Sequence, residues 1–260
     1  MKKPRYSTNL TKAQWKVIKS LLPKEPLGRP PRHQHAVLNA LWFVAVTGIQ
    51  WRLLPREFPP WQTVYYHFRR FCRLGHWKRI HHVLRALVRA KMNRHKHPTA
   101  GCLDSQSVKT TSVAGARGFD NGKKVKGRKR HLLCDTQGLA LELVVTPANI
   151  SESHGARLVG CRMGRRRGVT KRLRRVWVDA GYKAGAIEWW KQKRGVIVEV
   201  VAKDKAHSGF ALQKRRWVIE RTFSWLSAHR RLARDYEGCI AHSEALVWIA
   251  LSRILLKRLA

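Results

Sequence analysis

The sequence predicts a mixed α/β fold, a three-strand antiparallel meander followed by alternating helices and strands, with a small all-helical region in front of it. Three observations carry this reading. Residues 10–92 place apolar side chains at helical spacing between proline and glycine stops. From residue 101 the pattern changes to short, β-branched or leucine-rich runs, several of which end on a carboxylate. Between the two regions lies the polar, basic stretch Asn93-Arg94-His95-Lys96-His97-Pro98, which sets expected domains of 1–93 and 94–260.

In the first region Thr11 can cap a helix over 10–22, whose Trp15, Ile18, Leu21 and Leu22 share a face before Pro23 stops it. Pro23 to Pro31 holds four prolines and a glycine and reads as a loop. A strongly apolar helix follows over 33–47, with Val37, Leu38, Leu41, Trp42, Ala45 and Val46 inside and Gly48 ending it. After the rigid connection Trp51 to Trp61, a helix near 62–72 carries Val64, Tyr65, Phe68 and Phe71 inside and His67, Arg69, Arg70 and Arg73 outside. A fourth, about 77–92, has Ile80, Val83, Leu84, Leu87 and Val88 as its apolar stripe. Basic outer faces suit a small DNA-binding domain in which the third or fourth helix enters a groove, or a bundle whose charges simply face water.

In the second region Gly101 to Ser105, His131 to Asp135 and Leu139 to Thr146 read as the meander, the last two joined by the turn Thr136-Gln137-Gly138. A helix from Ser151 to about Val159 precedes a basic loop over 162–175 and the strand Val176-Trp177-Val178, which ends on Asp179. Then come a helix over 183–193, a strand over 196–202, a helix over 213–228 and a last helix over 243–258. Such an order builds a mixed sheet with helices on both faces.

Charge narrows the partner. Lys and Arg number 54 against 15 Asp and Glu, a formal net charge of +39, and self-repulsion of that size calls for a polyanion. The basic residues run along the whole chain instead of lining one amphipathic helix, which favours nucleic acid over a membrane surface. No apolar stretch is long enough to span a bilayer, and Met1-Lys2-Lys3-Pro4 begins no signal core, so a cytoplasmic protein is expected. The five cysteines lie 27 or more residues apart without a Cys-x-x-Cys pair, which points to reduced thiols and away from a structural zinc site.

Where acids are this scarce, their placement is informative. Asp104 and Asp179 stand at the ends of expected core strands, and Glu220 lies in the helix whose inner stripe is Val218, Ile219, Thr222, Phe223 and Leu226. Arg216, one turn before Glu220, can pair with it or hold a phosphate. If the two strands are neighbours, three carboxylates meet and require cations. Two Mg²⁺ ions (or Mn²⁺), about 4 Å apart, would suit them and support phosphoryl transfer on DNA. Asp120 and Asp204 fall in basic loops and Glu152 reads as a first-turn helix residue, while Asp135, beside the Asp104 strand, is held in reserve as a supporting acid. Gly115 to His131 reads as a glycine-rich loop whose Lys123, Lys124, Lys126, Arg128, Lys129 and Arg130 contact DNA phosphates.

These motifs together resemble the DDE transposases of bacterial insertion sequences, in the group numbered four and five. The likeness is carried by Gly28-Arg29-Pro30, Thr47-Gly48-Ile49-Gln50-Trp51-Arg52, Phe58-Pro59-Pro60-Trp61, Asp104-Ser105-Gln106-Ser107-Val108-Lys109 and Gly127-Arg128-Lys129-Arg130-His131. It continues through Thr146-Pro147-Ala148-Asn149, Asp179-Ala180-Gly181-Tyr182 and Arg216-Trp217-Val218-Ile219-Glu220-Arg221-Thr222. The resemblance implies a ribonuclease H-like catalytic domain, a metal-binding catalytic triad of Asp104, Asp179 and Glu220, double-stranded DNA as partner, and a homodimer on paired element ends. Gln213 and Ser227 depart from one branch's signature, so that branch's hairpin intermediate is not implied. A nuclease or resolvase that cuts without joining, and a non-catalytic basic DNA-binding protein, are the rival classes.

Overall fold

The computed structural model describes residues 6–23, 34–112, 115–164, 172–201 and 216–260. The Gly28-Arg29-Pro30 motif, Asp204, Gln213 and parts of the expected loops 23–31 and 162–175 lie outside the described residues. The chain forms two compact units, one of Met1–Arg94, Leu226–Arg234 and Ala241–Ala260, the other of His95–Trp225 and Asp235–Ile240.

The helical unit contains α1 (Lys12–Lys19), α2 (Gln34–Thr47), a 3-10 turn at Trp51–Leu53, α3 (Trp61–Arg73) and α4 (His76–Lys91). Thr11 and Gln14 cap α1 reciprocally: the Gln14 N–H donates to the Thr11 hydroxyl at 3.1 Å and the Thr11 N–H to the Gln14 side chain at 3.1 Å. The unit is not made by the N-terminal residues alone. Short α8 (Arg230–Ala233) and long α9 (Ile240–Leu259) belong to it, although the sequence groups the last helix with the sheet. The reason is hydrophobicity on all sides: α2 buries Val37 to Leu41 without a break, and α9 buries Ala245 to Ser252, so each needs the other's cover. The Trp42 indole N–H donates to the Ile249 carbonyl at 3.2 Å. On α4 the buried stripe is rotated from the expected one. Val83 and Leu87 are exposed, while His81 and Arg85 are buried, the His81 ring 4.8 Å from that of Trp248.

The second unit is a mixed α/β fold, as expected. Its sheet has β1 (Ala100–Lys109), β2 (Gly118–Asp120), β3 (Val125–Asp135), β4 (Ala140–Pro147), β5 (Arg175–Val178) and β6 (Ile197–Val200). The order is β2-β3-β1-β5-β6, with β4 also paired to β3. β1, β3 and β4 form the antiparallel meander, and β5 and β6 continue the sheet in parallel with β1. Helices α5 (Glu152–Gly164) and α6 (Ala184–Arg194) cover a core of Leu103, Leu133, Val144, Val159, Val178 and Trp190. Each such side chain is worth about 1.5–3 kcal/mol of burial.

The expected glycine-rich loop 115–131 is corrected. Its second half is strand: β3 begins at Val125, and its Arg128, Lys129, Arg130 and His131 are all buried. Acids hold two of these cations inside. Arg128 pairs with Asp235 at 3.0 Å, and Lys129 with Asp120 at 2.9 Å. Asp135 has a structural role, its Oδ1 accepting the N–H groups of Gln137 at 2.8 Å and Leu139 at 2.9 Å to shape the β3–β4 turn. On that turn docks α7 (Trp217–Ser227), whose Thr222 hydroxyl donates to the Gly138 carbonyl at 3.0 Å. Gly138 sits at φ +77°, and a Cβ there would meet the Thr222 hydroxyl oxygen at 2.7 Å, so both backbone and space require glycine.

Candidate active site

Two strands that lie side by side deliver the two expected aspartates. β1 and β5 run parallel with Cys102 opposite Trp177, so Asp104 and Asp179 emerge two residues later at the same edge of the sheet. Asp104 is buried, and the Ser105 N–H donates to its Oδ1 at 2.6 Å. Asp179 is half-buried just past the end of β5, with the Gly181 N–H donating to its Oδ1 at 2.9 Å.

One cation serves both. Arg216, buried immediately before α7, donates from Nη2 to Asp104 Oδ2 at 2.9 Å and stands 3.6 Å from Asp179 Oδ2. Burial pushes the Asp104 carboxyl up to about 6, and the negative charges of Asp179 and Glu152 add to this, against the pull of Arg216 and the Ser105 N–H. Glu220, one turn beyond Arg216 in α7, is exposed. The structure therefore brings Asp104 and Asp179 to a shared positive charge, and among the described residues it assembles no ready-made group of three metal-ligating side chains.

Glu152 is the acid that sequence reasoning passed over. It opens α5, as expected, yet it accepts a hydrogen bond from the Ser105 hydroxyl at 2.8 Å and an ion pair from Lys123 at 3.1 Å. A first-turn acid is so ordinary in a helix that its sequence position gave no signal. The available clue was its proximity in the chain to Thr146-Pro147-Ala148-Asn149, at the end of a strand of the same meander.

Of the expected phosphate contacts, Lys123, Lys124 and Lys126 are exposed on the β2–β3 hairpin, whereas Arg128, Lys129 and Arg130 face inward. Arg128 and Lys129 are held by internal acids, and Arg130 donates to the Gln106 side chain at 3.3 Å. Arg216 is likewise committed to an aspartate in this state.

None of the five cysteines forms a disulfide, and no helix among the described residues is long and apolar enough to cross a membrane. Residues 95–255 match the family model described as "Transposase DDE domain", and residues 10–81 match one described as a candidate transposase of the IS4/5 family. A Burkholderia cepacia protein named as a candidate transposase for insertion sequence element IS402 is 34% identical over 115 residues, covering 43% of this chain and 54% of that relative. The match thus extends over about half the length of that curated relative. No solved structure matches. Since the domain model spans residues 95–255 of 260, the chain belongs to the DDE transposase domain family.

Proposed function

We propose that this chain is the transposase of a bacterial insertion sequence, which binds the terminal inverted repeats of its element, cuts at their ends and joins the exposed 3′ hydroxyls to target DNA. The observation that carries the reading is the pair Asp104 and Asp179 on adjacent parallel strands, drawn together by one cation in a chain of net charge +39. The sheet is then of the ribonuclease H-like kind, the helical unit binds DNA, and two copies act together on paired ends, in the cytoplasm at the nucleoid.

Divalent ions fit this donor set. The oxygens are hard carboxylates, a guanidinium already neutralises them, and the buried Tyr182 hydroxyl beside them has no hydrogen-bond partner among the described residues. Asp104 and Asp179, joined by Glu220 from the first turn of α7, would hold Mg²⁺ or Mn²⁺. A bound pair of such ions supplies an activated hydroxyl or water and stabilises the leaving oxygen of a phosphodiester. The protein's own residues then bind and align. Lys123, Lys124 and Lys126 meet phosphates from the hairpin, and Arg216, released from Asp104, turns to the scissile phosphate.

Asp179→Ala tests the assignment. Cleavage and strand transfer on DNA carrying the terminal repeats should be lost while binding of that DNA persists. Unchanged strand transfer would refute the site, products that are cut but never joined would favour the nuclease reading, and absence of any product from the unmodified chain would favour the non-catalytic one.

A further inference from the structure

Residue 181 is a glycine for a reason of space. Its backbone is not in the left-handed region, so conformation does not demand glycine there. A Cβ, however, would lie 2.8 Å from Glu152 Oε2 and 3.1 Å from Asp179 Oδ1. One open point is therefore flanked by oxygens of two different carboxylates, on elements far apart in the chain. Beside it the Ser105 hydroxyl, next to Asp104, donates to the other oxygen of Glu152, so Glu152 Oε1 is fixed while Oε2 faces Asp179.

Two further observations point to a ligand at this place. Tyr182 is 4% exposed and its hydroxyl has no hydrogen-bond partner among the described residues, though it lies in the field of Asp104, Glu152, Asp179 and Arg216. The Lys123 ammonium reaches across the hairpin to both the Glu152 carboxylate at 3.1 Å and the Ser105 carbonyl at 3.2 Å. An extended lysine from an exposed hairpin is the kind of cation that a stronger one displaces.

We infer that Glu152 is a carboxylate of the metal site, sharing a divalent ion with Asp179 beside Asp104, and that Lys123 holds its place until the ion arrives. The inference rests on the metal-dependent reading above. Lys123 then has two positions: on Glu152 before the ion binds and on a DNA phosphate once the site is loaded. Tyr182 lends its hydroxyl to whatever the ion brings with it, a water or a phosphate oxygen.

The test is Mn²⁺ titration of the full chain, followed by electron paramagnetic resonance of the free ion, with the wild type, Glu152→Gln, Asp179→Asn, Lys123→Met and the distant control Glu188→Gln. Glu152→Gln should weaken Mn²⁺ by at least tenfold, Asp179→Asn by as much, and Glu188→Gln not at all. Lys123→Met should tighten it several-fold, because a competitor has been removed, and this arm stands even if Glu152→Gln folds poorly. If Asp179→Asn weakens Mn²⁺ while Glu152→Gln matches the wild type and Lys123→Met does not tighten it, Glu152 is only a helix-capping ion pair and the inference fails. If Asp179→Asn also matches the wild type, the metal-dependent reading itself has failed.

Discussion

The Arg128 guanidinium meets the Asp235 carboxylate at 3.0 Å with side chains only 2% and 1% exposed, a contact that ties the middle of β3 to a residue 107 positions later in the chain. Arg128 also donates to the Glu237 carbonyl at 2.8 Å. Removing one partner leaves the other charge buried, so Arg128→Ala should lower stability by about 3–5 kcal/mol. Thermal melting checks this. A variant that melts like the wild type and loses only DNA affinity would restore Arg128 to the DNA-contact set.

Lys124 and Lys126 behave in the opposite way. Both are exposed, so Lys124→Ala and Lys126→Ala should leave the melting temperature unchanged. Each should weaken binding to any DNA sequence and reduce the slope of log K against log salt by roughly 0.9. Binding measured over a range of salt concentrations distinguishes this from sequence readout, which would spare unrelated DNA.

His131 gives a pH signature. It is fully buried, 3.0 Å from the Thr146 hydroxyl, and burial lowers its pKa from 6.5 to about 3, with the positive charge of Lys129 adding to the effect. Between those values the unfolded chain binds the extra proton and the folded one does not, so stability rises with pH across the window and is lost as pH falls from 6.5 towards 3. The His131 contribution is roughly 1.4 kcal/mol per pH unit. In His131→Gln the dependence should flatten by that amount, as read from denaturant unfolding at pH 4.5 and 6.5.

Gly181→Ala adds a single methyl group at the point between Glu152 and Asp179. The backbone tolerates it, and the position is exposed, so the melting temperature should stay close to that of the wild type. Metal-dependent cleavage should fall by at least tenfold, because the carboxylates are pushed off their positions. Cleavage at the wild-type rate would show that this space is not used.

The sheet was legible because its signals are local. The runs that became β1, β4 and β5 are apolar and end on turn residues, and their order alone implies a meander continued by parallel strands. Asp104 and Asp179 stood out for the same reason, as acids at strand ends in an acid-poor chain. What was hidden depends on distant partners. Lys-Gly-Arg-Lys-Arg reads as a phosphate-contacting loop until Asp120 and Asp235 are seen to pair with Lys129 and Arg128, and neither acid announces that task in the sequence. Glu152 resembled any helix-opening glutamate, and its meeting with Ser105 and Lys123 is a product of the tertiary fold. The stripe of α4 was misplaced by the same logic, since His81 and Arg85 pass for surface residues until α9 packs beside them.

The discontinuous helical unit dictates an order of events during synthesis. α2 leaves the ribosome early with apolar side chains on every side, but part of its cover, α8 and α9, is encoded about two hundred residues later. The sheet unit, most of it contained in His95–Trp225, waits only for Asp235 to neutralise Arg128. A nascent chain thus carries an apolar helix that α3 can cover only in part until α8 and α9 follow. The helical unit can complete its core only once Ala241–Ala260 has emerged.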